Sequence, residues 1–188
     1  TFPNKGFAFE TLPQREDVLV QHATVWTSEE AGILEDADLL VVDGKIEAVG
    51  ENLVAPAGVW VIDATGKHVT AGIIDAHSHI AIAGDVNEGT EAISAEVRIS
   101  DVVDPTDVNI YRQLAAGVTA SQILHGSANP IGGQVCTIRL RWGSGAEELI
   151  VDAPATIKFA LGENVKQSNW GERFNTRYPQ TRMGVEAI

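Results

Sequence analysis

The chain has 188 residues, of which 26 are acidic and 13 basic, for a formal net charge of −13 at pH 7. That length can bury a real core and makes one or two domains the expectation, while the acidic excess argues against nucleic acid or an anionic membrane as partner, because both surfaces are negative. Cys136 is the single cysteine, so no internal disulfide is possible and the redox compartment is not readable from it.

In chain order, the first six residues lack the charged and apolar blocks of a signal peptide, and no stretch approaches the length of a membrane-spanning helix. A chain that opens on Thr1 with no initiator Met is expected to have been trimmed from something longer. Residues 18–26, 37–42 and 59–62 are β-rich, and Asp43-Gly44 between two apolar runs is a strong hairpin signal. An antiparallel sheet domain is predicted there. His22 and His68 lie in it and read as structural histidines.

Residues 69–79 are the most informative run. Val69-Thr70-Ala71-Gly72 turns into a strand, Ile73 and Ile74 are expected to bury it on both faces, and Asp75, His77 and His79 share one parity, so three functional groups line up on one side. Two imidazoles one residue apart suit one metal ion. Beyond them the pattern alternates strands and helices. Asp104-Pro105-Thr106 starts a helix carrying Val108, Tyr111 and Ala115, Gly117 caps it, and a second strand runs from Val118 to about Leu124. Cys136, Ile138 and Leu140 alternate with polar neighbours as a half-buried strand, which makes Cys136 a small core residue rather than a nucleophile. Residues 148–151 are expected to pair with that strand as a hairpin, and residues 155–161 to form a third barrel strand ending at Gly162-Glu163.

The Asp75-x-His77-x-His79 motif resembles the first barrel strand of the amidohydrolase superfamily. Residues 43–50 and 61–69 look like the small β-sandwich flanking the barrel in that family, and residues 115–120 look like the opening of its second strand. Residues 126–134, 158–166 and 181–184 resemble the imidazolonepropionase-related branch, so the likeness covers about residues 18–188. It implies an α/β plus all-β fold: residues 1–70 as N-terminal tail and antiparallel β-sandwich, residues 71–188 as the first part of a (β/α)8 TIM-type barrel. A full barrel needs roughly 200–250 residues, so only about three or four strand–helix units fit and the barrel is expected to be incomplete in this chain.

The resemblance also implies a function. His77 and His79 would be neutral ligands of Zn2+ or another divalent metal, in a site of one or two ions, lowering the pKa of a bound water for attack on the carbonyl of a small-molecule or peptide-like amide or lactam. Family members draw a further ligand from a carboxylated lysine or a glutamate. Lys158 and Glu163 are the candidates, with Glu163 preferred because it follows Gly162 at the strand's C-terminal end, where sites form. Later histidines and a general-base aspartate belong to strands beyond this chain, so no catalytic residue is assigned within it. His125, Asn129 and Gln134 are candidate substrate contacts in the loop after the second strand, with a structural turn as the equal alternative; Asn164, Lys166 and Arg182 are family-like without a role. A ring deaminase of the same superfamily and an inactive or docking piece are the competing readings. The truncation predicts a homo-oligomer or completion by the remainder of the barrel, and the branch suggests a periplasmic or secreted protein, with the cytoplasm as alternative.

Overall fold

The computed structural model of the chain describes residues 1–171 and 177–188. They form two compact units, one of Pro13–Gly72 and one that joins Thr1–Leu12 to Ile73–Ile188. No described helix is long and apolar enough to cross a membrane.

The Pro13–Gly72 unit is one sheet built from β1 (Val18–Trp26), β2 (Ile33–Val42), β3 (Lys45–Gly50), β4 (Trp60–Asp63) and the two-residue β5 (His68–Val69). The strands lie in the order β3-β2-β1-β4, and β5 also pairs with β1. The hairpin forms where the sequence predicts it: Asp43 and Gly44 sit at φ +49° and +72°, the paired left-handed residues that match the twist of two antiparallel strands. Two expectations are corrected. Among the described residues this unit holds a single sheet rather than a sandwich, and it is mixed, because β4 and β5 run parallel to β1. Alternation sets which side chains face inward, but it carries no information on strand direction; residues 51–59 bring β4 alongside β1 the parallel way round.

The inward face is small and tight: Leu19, Ala23, Val25, Ala37 and Ala64 are buried. Strand β1 bulges around His22, at φ +60°, against Asp36 at +49°, and the bulge frees amides from the ladder. Asp38, 2% exposed, takes one of them, accepting from the His22 N–H at 3.0 Å, and also accepts from the Leu53 N–H of the loop after β3 at 2.9 Å. Burial pushes the Asp38 carboxyl up, but those two amides, together with the Gln21 side chain and the His22 charge, hold the group below its ordinary value. The stabilisation is therefore complete above the ordinary carboxylate range near 3.9 and is lost as pH falls through the lower folded-state value. Asp38→Asn, which turns one acceptor towards an N–H as a donor, is expected to destabilise this unit by about 1–3 kcal/mol, read from urea melts at neutral pH. The deficit should shrink in melts below pH 3; an unchanged midpoint at neutral pH contradicts the account. His22 and His68 are structural as expected, His22 against Asp36 at 2.9 Å and His68 accepting from the Trp26 indole at 3.0 Å.

The second unit starts at β6 (Ile73–Ser78). Helix α1 (Val108–Ala115) crosses to β7 (Val118–Ile123), which lies parallel to β6, with Asp75 opposite Ser121. Asp107 caps α1 by accepting from the Asn109 N–H, so the helix starts three residues beyond the expected Asp104 start, and Gly117 leaves it at φ +89° as the sequence predicts. Strand β8 (Ile131–Gln134) and β9 (Cys136–Arg139) follow; β9 pairs antiparallel with β7. The core gathers Ile110 from α1, Ile123 from β7, Cys136 and Ile138 from β9, with Ile99, Leu140 and Leu149. Cys136 is buried as predicted, which pushes its thiol pKa up. The chain ends on α3 (Arg182–Glu186), capped by the Thr181 hydroxyl.

Four sequence expectations change in this unit. Residues 146–149 are the short helix α2 (Ala146–Leu149), closed by the Gly145 N–H donating to the Glu148 carboxylate, and the pairing with β9 is carried by the Ile150–Ile138 bridge and by the Val151 N–H donating to Thr137 O at 3.0 Å. Strand β10 (Ile157–Phe159) pairs antiparallel with β8 instead of joining the parallel pair. Strand β6 is an edge strand, and Ile73 and Ile74 are 57% and 69% exposed instead of buried on both faces; an apolar run predicts burial only where a neighbour covers it. The N-terminal tail, grouped by sequence with the sheet domain, instead packs here. Phe2 and Phe9 bridge antiparallel, the Phe7 ring stacks on Tyr111 at 4.7 Å, and the Trp142 indole donates to the Phe7 carbonyl at 2.9 Å.

Candidate metal centre

Strand β6 delivers His77 and His79 at and just beyond its C-terminal end. Alternation turns both imidazoles, with Asp75, to one side, and the two rings meet edge to face at 5.2 Å and 89°. Asp75 braces the strand by accepting from the His77 N–H at 3.1 Å. Because β7 is parallel to β6, its end arrives at the same level: the Leu124 N–H donates to Ser78 O at 3.0 Å, and the His79 Nδ1–H donates to Leu124 O at 2.9 Å. A carbonyl can only accept, so this contact fixes the proton on Nδ1 and leaves Nε2 as the lone-pair nitrogen.

The surroundings of His77 favour its neutral form. Burial lowers its pKa first, and the neighbouring Lys158 and His79 lower it further against the opposing Asp75. The Lys158 ammonium lies 3.4 Å from His77 Nε2. Lys158 sits on β10, is 9% exposed, and its amine is itself pushed down by burial. The structure therefore brings His77 together with His79 on one side and with the buried Lys158 amine at its Nε2 on the other.

Glu163 is placed elsewhere. It is exposed and forms an ion pair with Lys166, which holds its carboxyl below the usual range. Among the described residues, no group of three or more His, Cys, Asp or Glu side chains converges as a metal cage. The donor set fits a divalent ion as two nitrogen ligands, with Lys158 as the adjacent group; its ammonium repels a cation until the proton is lost.

The three substrate candidates each hydrogen-bond backbone groups of the chain itself. His125 is 1% exposed, its Nδ1–H donates to Gly126 O at 2.8 Å, and Nε2 accepts from the Glu88 N–H at 2.7 Å. Asn129 is fully buried, and its amide donates to Glu88 O, Glu91 O and the Ser94 hydroxyl. Gln134 is exposed in β8 and donates to Ala95 O at 3.1 Å. The glycines follow the same logic: a Cβ on Gly132 would stand 2.9 Å from His125 Nδ1, and one on Gly133 would stand 2.6 Å from Val97 O. The loop is therefore a tight wrap around a buried histidine. Asn164 lines a polar cavity of about 440 Å³ with Asn87, Ser127, Asn169 and Trp170; Lys166 is taken by Glu163, and Arg182 is exposed at the start of α3. Sequence reasoning missed Leu124, whose carbonyl orients His79; the parallel pairing of β6 and β7 was the signal, since it sets the end of one strand beside the end of the other.

No family model matches the chain. Amidohydrolase tasK of Hapsidospora irregularis is 32% identical over 200 residues, which cover 88% of this chain and 20% of that protein. A dihydroorotase of Geobacter sulfurreducens is 34% identical over 110 residues, 54% of this chain and 26% of its own length. The crystal structure of an amidohydrolase from Thermotoga maritima MSB8 superposes with a TM-score of 0.77 at 40% identity, covering 90% of this chain and 45% of that one. The chain thus spans a fifth to less than half of the length of these relatives.

Proposed function

The chain belongs to the amidohydrolase superfamily, and we propose that His77 and His79 hold a divalent metal ion in a site that hydrolyses a C–N bond of a cyclic or linear amide. The observation that carries this reading is the fixed tautomer of His79: the Leu124 carbonyl takes the Nδ1 proton and leaves Nε2 bare beside a neutral His77. Dihydroorotase, the name borne by one of the relatives, denotes an enzyme of that bond class. When bound, the ion supplies the positive charge that polarises the carbonyl and makes water nucleophilic near neutral pH.

The chain's own residues prepare the site. Leu124 O orients one imidazole, and Asp75 holds the strand that carries both. Lys158 is the preferred third group over Glu163, because it lies 3.4 Å from His77 whereas Glu163 is paired with Lys166. Burial favours its free amine, which can add to CO2 and release one proton to solvent, giving a carbamate. That step replaces a cation that repels the metal with an anion that attracts it.

Zinc retained after gel filtration, about one or two ions per chain, together with chelator-sensitive ring opening of cyclic amides, is the expected result. Absence of both overturns the reading. Release of ammonia in place of a ring-opened acid would move the protein to the deaminases of the same superfamily.

A further inference from the structure

Two residues beyond His79 the backbone takes a conformation its sequence does not require. Ala81 sits at φ +56° and is fully buried, in the left-handed region that a residue with a Cβ avoids unless its surroundings enforce it. Those surroundings are specific. The Ala81 N–H donates to Asp107 Oδ2 at 2.8 Å, and the Ala81 carbonyl accepts from the Asp104 N–H at 2.8 Å. The next residues continue the seam, with Ile82 bridging Val103 and the Ala83 N–H donating to Val102 O. The same Asp107 caps α1, its Oδ1 accepting from both the backbone N–H and the side-chain amide of Asn109 at 3.0 Å. One carboxylate therefore ties the start of α1 to the turn that ends the imidazole-bearing strand.

We propose that Asp107 is a positioning residue for His79: it clamps Ala81 in the left-handed turn, fixes where β6 ends, and so aims His79 Nδ1 at the Leu124 carbonyl and leaves Nε2 free. Its significance for the site rests on His79 being a metal ligand, as proposed above. Both carboxylate oxygens are used as acceptors, one by the helix and one by Ala81, and the chemistry of the residue follows from that. An asparagine caps a helix as well as an aspartate but carries one acceptor only; with its oxygen kept for Asn109, its NH2 group faces the Ala81 N–H, donor against donor. If Asp107 were only a helix cap, Asp107→Asn would leave His79 untouched. Glycine adopts the left-handed turn without a clamp, so Ala81→Gly is the matching rescue.

The test reads the imidazole tautomers of the whole chain by long-range nitrogen–proton spectra above neutral pH with no metal added, and then the affinity for zinc alone. In the wild type, His79 is expected to show a single Nδ1–H tautomer. In Asp107→Asn it should average between both tautomers, with zinc affinity reduced about 10- to 100-fold, while the buried His125 keeps its wild-type signals. The double variant Ala81→Gly/Asp107→Ser, in which no amide faces the residue-81 N–H, should recover the wild-type pattern. If Asp107→Asn fails to fold, Asp107→Ser, which caps the helix but is too short to reach Ala81, takes its place. A His79 that keeps its tautomer in a folded Asp107 variant, or that is not rescued by Ala81→Gly, overturns the proposal. A wild type that binds no zinc overturns the metal reading instead, and the tautomer spectra still decide the clamp.

Discussion

Replacing His77 and His79 together by alanine is expected to lower zinc affinity by on the order of 10⁴, and either single replacement by on the order of 10². The estimate follows from binding free energies of about 10–16 kcal/mol shared among roughly four ligands, about 3 kcal/mol each, where 1.4 kcal/mol is about tenfold. Folding should change little. Both imidazoles are exposed at the end of an edge strand, and the only side-chain hydrogen bond among the described residues that anchors either ring to the backbone is that of His79 to Leu124 O. The double variant should therefore melt within about 1 kcal/mol of the wild type. Competition with a chromophoric chelator measures the affinity, and circular dichroism measures the melt. Wild-type zinc affinity in a folded double variant would remove both residues from the site.

The contrast between local and long-range information explains what the sequence made legible. Asp43-Gly44, the start of α1 and Gly117 are local chemistry: each solves a backbone problem within a few residues, and the turn and the C-terminal cap stand where the sequence predicts them, while the N-cap is Asp107, three residues beyond the expected Asp104 start. The parity of Asp75, His77 and His79 is equally local, since one strand decides it. Strand direction is not. β4 beside β1 and β10 beside β8 depend on how intervening loops return, and no alternation of residue types records that. The same division runs through the site. His125, Asn129 and Gln134 are residue types that bind substrates, in a glycine-rich loop after a strand, yet two of them are consumed by backbone groups of residues 88–91, some forty positions away. A sequence shows which groups can make hydrogen bonds; it does not show which distant amides need them.

Lys158→Met is expected to reduce amide hydrolysis by on the order of 10² or more, whereas Glu163→Gln stays within about twofold of the wild type. The two variants separate the candidates for the third metal-site group. The preference for Glu163 came from its position after Gly162, but Lys166 lies three residues further on, the spacing at which two side chains meet when the chain turns, and it has captured the carboxylate. Lys158 had the opposite history: an amine inside a strand is costly without a reason. The structure supplies the reason by setting it 3.4 Å from His77 Nε2. Methionine retains the length and apolar stem of lysine, so Lys158→Met preserves packing while removing the nitrogen that would carry a carbamate. Isotopically labelled bicarbonate provides a readout independent of turnover: a carbamate carbon resonance is expected in the wild type and in Glu163→Gln, and none in Lys158→Met. Loss of hydrolysis in Glu163→Gln with Lys158→Met unaffected would restore the glutamate and require the loop after β10 to swing its carboxylate away from Lys166 when metal binds. An exposed ion pair is weak enough to permit that swing, so the decision falls to the chemistry at Lys158, where burial has already moved the amine towards the neutral form that carboxylation needs.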